Sequence, residues 1–198
     1  FNNEKRPGQW LYRDVNNDGI INALDRQIIG NPNPDAILGF NNEINYKNFK
    51  LNFFFQGVIG NDVMNISKAY LSTGMVHLNK RADWYANRWT PENPTNDINY
   101  TAFGTVHDNL VPGNYYIEDG SYLRLKNLGL AYNLALKKGA VKNLIFNVSA
   151  TNLLTITNYS GLDPEVGIFG KNNLLPSMDL GSYPRARTVF FGIKCHLK

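Results

Sequence analysis

Four stretches of this chain alternate apolar and polar residues along ten or so positions each: 38–46, 49–59, 144–152 and 188–197. In the second stretch, for example, Phe49, Leu51, Phe53 and Phe55 fall on one parity and Lys50, Asn52 and Gln56 on the other. Side chains on a β-strand point to opposite sides with a period of two. The alternation therefore predicts β-strands that each have one side in an apolar medium.

A fifth strand is predicted over Ser121–Asn133, although its alternation breaks in the middle. Leu123 and Leu125 have the opposite parity from the apolar residues that follow Asn127. One inserted residue reverses the phase of a strand, so a β-bulge near Lys126–Asn127 would put both halves on one face.

The connections between these strands alternate in length. A tight turn at Lys47–Asn48 is followed by a long connection over Gly60–Gly120, then a short one over Leu134–Asn143 and a long one over Thr155–Arg185. Transmembrane β-barrels have short periplasmic turns and long extracellular loops, so the alternation favours a barrel. A soluble antiparallel sandwich fits the residue periodicity equally well. Short helices are expected in the first long connection, over Asp62–Leu71 with Asn61 or Asp62 as cap, and over Asn79–Arg88.

The composition bears on three classes of protein: ordinary soluble domains, nucleic-acid-binding proteins and proteins with membrane-spanning helices. Charged residues make up 18% of the chain and aromatic residues 13%, against about 25% charged residues in typical soluble domains. The net charge of +4 is scattered, with short clusters only at Lys137–Lys138 with Lys142 and at Arg185 with Arg187. Nucleic-acid binding requires clustered positive charge, so a solvated or membrane-rim role is favoured for these residues. No apolar run approaches the length of a membrane-spanning helix.

Residues 14–25 match the spacing of a twelve-residue calcium loop, with Gly19 at the sixth position, where the chain turns sharply. Calcium is coordinated by oxygen atoms, and here alternate positions supply them. The predicted ligands are Asp14, Asn16, Asp18, the backbone carbonyl of Ile20, Asn22 and Asp25. Asp25 replaces the usual bidentate Glu, and a single loop points to a structural calcium ion. The alternative is an Asn/Asp-rich turn that hydrogen-bonds its own backbone.

Sequence signatures of enzymes are absent: there is no nucleophile elbow, phosphate loop, dinucleotide fingerprint or zinc-protease motif. A non-enzymatic function is therefore expected. Four aromatic residues of the first long loop are candidates for stacking on a sugar or apolar ligand: Trp84, Trp89, Tyr115 and Tyr116. The competing and favoured interpretation is that they pack the loop onto itself.

Ordered blocks across nearly the whole chain resemble the C-terminal barrel region of SusC/RagA-type TonB-linked outer-membrane transporters. The blocks are Asp14–Asp25, Ile28–Asp35, Gly39–Asn42, Phe53–Gly57, Gly60–Asp62, Arg88–Pro94, Glu118–Asn127, Thr151–Thr155, Tyr159–Glu165 and Tyr183–Thr188.

The resemblance implies an all-β fold, with about five C-terminal strands of a 22-stranded transmembrane antiparallel barrel and long extracellular loops containing short helices. Residues 1–37 would form an extracellular loop region with the calcium loop, and residues 38–198 the barrel strands and further loops. Members of the family import glycans or peptides across the outer membrane of Bacteroidetes-type bacteria. They work with a SusD-like surface lipoprotein as a lid and with energy from TonB, which contacts a part of the protein upstream of this region. The alternative from another class is a soluble calcium-binding β-sandwich that binds carbohydrate.

Overall fold

The computed structural model describes residues 7–72, 79–102, 113–166 and 177–197. Its strands are β1 (Ala36–Tyr46), β2 (Phe49–Ile59), β3 (Asp62–Asn65), β4 (Ile117–Asp119), β5 (Tyr122–Ala135), β6 (Val141–Thr157), β7 (Met178–Asp179) and β8 (Thr188–Leu197). The helices are α1 (Ile66–Ser72) and α2 (Ala82–Asn87), with single 3₁₀ turns at Ala23–Asp25 and Asn114–Tyr116.

The five long strands form one antiparallel sheet in the order β1-β2-β5-β6-β8, so the five strands predicted from the alternation are confirmed. The tight turn at Lys47–Asn48 joins β1 to β2, and Lys47 adopts a positive φ of 52°. In the described residues the sheet ends at β1 on one side and at β8 on the other. It is therefore open.

Residues paired across strands lie on the same side of a sheet. On one side of this sheet the paired residues are almost all apolar. Phe49 is opposite Tyr46 and Tyr132, and Val148 is opposite Leu130 and Phe191. We call this side the apolar face. Its members include Leu38, Phe40, Ile44, Tyr46, Phe49, Leu51, Phe53, Phe55, Leu128, Leu130, Tyr132, Leu144, Phe146, Val148, Val189, Phe191 and Ile193. Many are exposed in the chain alone, up to 80% for Phe191.

The β-bulge predicted near Lys126–Asn127 is confirmed. Phe54 pairs with Asn127 whereas Phe55 pairs with Leu125, so Lys126 is the extra residue on β5. The insertion brings Leu125 to the side of Phe55, on the apolar face, and leaves Arg124 on the opposite, polar face. The leucines of both halves of β5 therefore lie on the apolar face.

The first long connection differs in part from the helices expected there. Residues 62–65 form β3, and α1 begins only at Ile66, so Asn61 and Asp62 do not cap it. Asn65 takes that place, because its Oδ1 accepts a hydrogen bond from Lys68 N at 2.9 Å. The second helix is shorter than expected, from Ala82 to Asn87. Strand β3 pairs in parallel with β7 in a small sheet of order β4-β3-β7, which the sequence did not predict because its strands are only two to four residues long.

The chain divides into two compact units. The loop unit comprises 1–31, 63–118 and 166–181, and the sheet unit comprises 32–62, 119–165 and 182–198. These units interleave along the chain, whereas the sequence suggested a single division between residues 37 and 38. The reason is that both long connections contribute to the loop unit. No helix among the described residues is long and apolar enough to span a membrane.

Candidate functional sites

The predicted calcium loop, residues 14–25, is closed by hydrogen bonds from its own backbone to its carboxylates. Asp14 accepts bonds from Asn17 N (2.7 Å) and Gly19 N (2.8 Å). Asp25 accepts bonds from Val15 N (2.8 Å) and, as part of a capping box, from Asn22 N (2.7 Å). Gly19 has a φ of +82°, so the sharp turn expected at the sixth position is present.

The remaining predicted ligands join the same network. Asp18 Oδ2 accepts from the Asn16 side-chain amide (2.8 Å), and the Ile20 carbonyl accepts from the Asn22 amide (3.3 Å). The pKa of Asp25 lies below its usual range, first because Asn22 N–H and Val15 N–H bond to the carboxylate. Asp25 therefore remains an anion at neutral pH.

The donor set of the loop fits calcium in type and spacing. Asp25 Oδ1 accepts hydrogen bonds from both Val15 N and Asn16 N, whereas the other carboxylate oxygens of Asp14, Asp18 and Asp25 each accept one and keep a second lone pair. No Lys or Arg of the described residues forms an ion pair with Asp14, Asp18 or Asp25. In this conformation, however, no described group of three or more acidic, His or Cys side chains is arranged to hold a metal. The hydrogen bonds from backbone amides to these carboxylates are those expected of the alternative, an Asn/Asp-rich turn that bonds its own backbone. Calcium binding therefore stays a prediction.

Two of the four candidate aromatic residues lie in a cluster with Trp10 in the loop unit. The ring centroid of Trp10 is 4.8 Å from that of Tyr115 and 5.2 Å from that of Tyr116. Lys68 Nζ lies 4.2 Å from the Tyr115 ring centroid, and it also forms an ion pair with Glu118 at 3.2 Å. Burial raises the pKa of both tyrosines, so their hydroxyls stay protonated.

Burial separates the four aromatic candidates. Trp84 and Tyr116 are each only 1% exposed, so they pack inside the loop unit. Trp89 and Tyr115 are half-buried, and the Tyr115 hydroxyl donates to Asn99 Oδ1 at 2.7 Å. The structure thus brings Tyr115 and Tyr116 together. Only Trp89 and Tyr115 expose part of their rings to a potential ligand.

A buried ion network on the polar face of the sheet was not anticipated from the sequence. Arg124 is 1% exposed, and its guanidinium donates to Asp163 Oδ1 (2.5 Å) and Glu165 Oε2 (3.1 Å). Lys126 reaches the same Glu165 oxygen at 2.6 Å, and Arg185 reaches the other at 3.4 Å. We call these five residues the ion network.

The ion network joins the segment after β6 to the polar face of β5. Asp163 Oδ2 also accepts from Arg185 N (2.9 Å), and Asp163 Oδ1 from Glu165 N (2.9 Å). Burial acts to raise the pKa of Asp163, but the bonds from Arg124, Arg185 N and Glu165 N outweigh it, so the pKa lies below the usual range. The sequence signal for this network was a pair of charges, Arg124 and Lys126, within an otherwise apolar strand. Their partners lie about 40 residues away, beyond the reach of any local pattern.

Comparison with known proteins gives close relatives over almost the whole chain. Two TonB-dependent receptors of Formosa agariphila, P26 and P3, are 42% and 40% identical over 194 residues, or 94% of the chain. The TonB-dependent receptor SusC of Bacteroides thetaiotaomicron is 28% identical over 200 residues, or 98% of the chain. The chain spans 19%, 19% and 18% of the length of these relatives, about a fifth. No family model matches the chain.

Solved structures give the same answer for the fold. The RagAB peptide importer in its open-open state matches 97% of this chain with a TM-score of 0.73 at 25% sequence identity, and 21% of the matched chain is covered. In the closed-closed state the TM-score is 0.69 over 88% of this chain. The relatives are receptors and transporters and not enzymes, in agreement at family level with the missing catalytic motifs. The chain therefore belongs to the SusC/RagA family of TonB-dependent receptors, as the resemblance in its sequence indicated.

Proposed function

We propose that this chain is the C-terminal part of a TonB-dependent outer-membrane transporter that imports oligosaccharides or peptides. The observation that carries the proposal is the open five-stranded sheet with a continuous apolar face, in a chain homologous to TonB-dependent receptors. An apolar sheet face exposed to water on this scale is unfavourable, whereas a lipid bilayer accepts it. Open strand edges are not tolerated in lipid, so β1 and β8 pair with further strands, and the complete barrel has 22.

The two sides of the sheet then have separate roles. The apolar face contacts outer-membrane lipid, and the polar face lines the interior of the barrel. Lys50 and Glu43, paired at 2.9 Å, lie on this inner side, as do Asn52 and Asn147. The tight turn at Lys47–Asn48 and the turn between β5 and β6 face the periplasm. Both long connections lie outside the cell.

The long connections would build an extracellular vestibule that receives the substrate. A SusD-like lipoprotein would close this vestibule as a lid, and TonB would supply energy through a segment outside this chain. Trp89 and Tyr115 are the residues proposed to touch the substrate, because their rings are partly exposed in a loop rich in polar side chains. A calcium ion at residues 14–25 would stabilise this loop, since it would be bound by three carboxylates and offset most of their charge.

Spin labels on β8 test the membrane wall directly. Single cysteines at 189, 191 and 193 on the apolar face and at 188, 190 and 194 on the other face are labelled in the receptor, with Cys195 replaced by Ser. We expect collision with dissolved oxygen to be highest on the apolar face, and collision with a water-soluble nickel chelate to be highest on the other, in strict alternation. Equal access of the nickel chelate to both faces would refute the proposal that the apolar face contacts lipid. The soluble carbohydrate-binding module, which the relatives do not favour, predicts low access for both reagents on the apolar face.

The import function is tested by growth. A strain lacking the receptor is supplied with single defined oligosaccharides, or with a defined peptide mixture, as the only carbon source. Loss of growth on one nutrient class, reproduced in a strain lacking TonB and restored by the receptor gene, supports the proposal and identifies the class. Growth on every nutrient, equal to that of the parent strain, would contradict an import role.

A further inference from the structure

The acidic residues of the sheet unit are segregated along the strands. Among the residues of the five long strands, Glu43 is the only acid, and it is paired with Lys50. The other acids of this unit all lie near the opposite end of the sheet from the Lys47–Asn48 turn: Asp35, Asp62, Asp119, Asp163 and Glu165.

Four lysines occupy the other end of the sheet. Lys47 lies in the turn after β1, Lys137 and Lys138 lie in the turn after β5, and Lys142 lies at the start of β6. All four are exposed, and none forms an ion pair with an acid of the described residues. We call them the lysine rim. It is a surface of four uncompensated positive charges.

A row of aromatic rings crosses the apolar face next to the lysine rim. Tyr46 pairs with Phe49, Phe49 with Tyr132, and Tyr132 with Phe146, so the row runs over four neighbouring strands. The Phe49 and Tyr132 ring centroids are 4.7 Å apart. Aromatic rows of this kind mark the level of the lipid headgroups in membrane barrels.

Two of the lysines lie close to the aromatic row along the chain. Lys47 follows Tyr46 directly, and its Nζ lies 5.2 Å from the Tyr46 ring centroid. Lys142 is four residues from Phe146, which is about 13 Å along a strand. Lysine side chains extend their charge toward the interface while their methylene groups remain on apolar surface. At the proposed membrane location, such side chains place their charges on the headgroup side of the aromatic row.

From this arrangement we propose that the lysine rim binds anionic phospholipid headgroups of the membrane leaflet at this end of the barrel. The inference rests on the proposed membrane location of the chain and adds the class of lipid. The ligand chemistry is a phosphodiester with net negative charge, as in phosphatidylglycerol. A zwitterionic headgroup of the same size offers no net charge and binds weakly.

Lipid titration of the purified receptor in neutral detergent tests the inference. Phosphatidylglycerol and phosphatidylcholine with identical acyl chains are added, and bound lipid is counted by native mass spectrometry. The rim variant is Lys137→Gln/Lys138→Gln/Lys142→Gln. The matched control, Arg13→Gln/Arg26→Gln/Arg187→Gln, removes the same charge from exposed positions that lie off the rim.

We expect the unaltered receptor and the control to prefer phosphatidylglycerol, and the rim variant to lose roughly 100-fold in affinity for it at low salt, since each lysine near an anionic surface contributes about fivefold. Added salt should weaken the preference. No preference in the unaltered receptor, or an equal loss in the rim variant and the control, would overturn the inference.

Carbonate extraction of cell membranes separates this result from the proposed function. A receptor that stays in the carbonate-resistant fraction but lacks lipid preference refutes the lysine rim alone. A receptor released by carbonate refutes the membrane location and the lysine rim together.

Discussion

Replacing Arg124 by Met tests whether the ion network holds the segment after β6 to the sheet. The guanidinium is the centre of the network, with Asp163 and Glu165 at 2.5 and 3.1 Å. Its removal leaves the Asp163 carboxylate, 6% exposed, with only backbone partners. Breaking a buried ion pair by removing one partner costs about 3–5 kcal/mol. That cost corresponds to a roughly 150- to 5,000-fold increase in the local opening equilibrium.

Hydrogen exchange of the receptor in detergent measures this opening. The amides of Glu165 and Arg185 report it, because both donate to Asp163. The matched control is Arg185→Met, since the Arg185 side chain is 57% exposed and bonds Glu165 at 3.4 Å, and exposed pairs contribute about 0–1 kcal/mol. A double variant, Arg124→Met/Asp163→Asn, should cost less than the sum of its single variants, because no buried charge is left unpaired.

The sign of the pH dependence gives a second check on the same network. The pKa of Asp163 in the folded protein lies below its unfolded value of about 3.9. The carboxylate therefore contributes its full stabilisation above about pH 4, and this is lost as the pH falls through the folded pKa. After correction for the intrinsic exchange rate, the protection that Asp163 gives these amides should be constant between pH 5 and 8. Equal effects of Arg124→Met and Arg185→Met, or strictly additive double-variant energies, would refute the reasoning.

Four further predictions concern other parts of the chain. Calcium titration by calorimetry should show binding that Asp14→Asn/Asp18→Asn abolishes; unchanged heats would reject the site. The chain on its own should aggregate in water and disperse in detergent because of its apolar face. A monomer with cooperative unfolding in water would contradict the proposal that this face contacts lipid. Trp84→Ala should destabilise the loop unit by about 3–5 kcal/mol in thermal unfolding. Trp89→Ala and Tyr115→Ala should instead weaken uptake of the transported nutrient at normal receptor levels, and unchanged uptake would exclude contact with substrate.

The long strands could be predicted from the sequence because a half-buried strand imposes its period on the residues that form it. The ion network could not, since Arg124 and Asp163 are 39 positions apart and meet only through the fold. The aromatic candidates fall between these cases. Their position in the first long loop was evident, but the burial of Trp84 and Tyr116 depends on which segments pack over them. The sequence therefore identifies the aromatic residues of the loop, but it does not separate those that pack inside the loop from those that are partly exposed.

Two of the three register irregularities in the sheet show which features of register leave a trace in sequence. The extra residue Lys126 reverses the parity of apolar positions along β5, so the alternation itself revealed it. A second shift lies between β5 and β6, where Asn127 pairs with Thr151 but Leu125 pairs with Leu154.

The shift between β5 and β6 does not disturb the alternation of apolar and polar residues along β6. From Thr151 on the polar face to Leu154 on the apolar face is an odd number of steps, so parity along β6 continues unbroken. The shift appears only in the backbone, where Asn152 has a φ of +52° and its side-chain amide donates to the Ala186 carbonyl at 3.1 Å. Asparagine tolerates the left-handed region better than most residues, which was the one local hint. A bulge is thus readable from sequence when it changes which side the next residues face, and it requires the structure when it changes only the pairing.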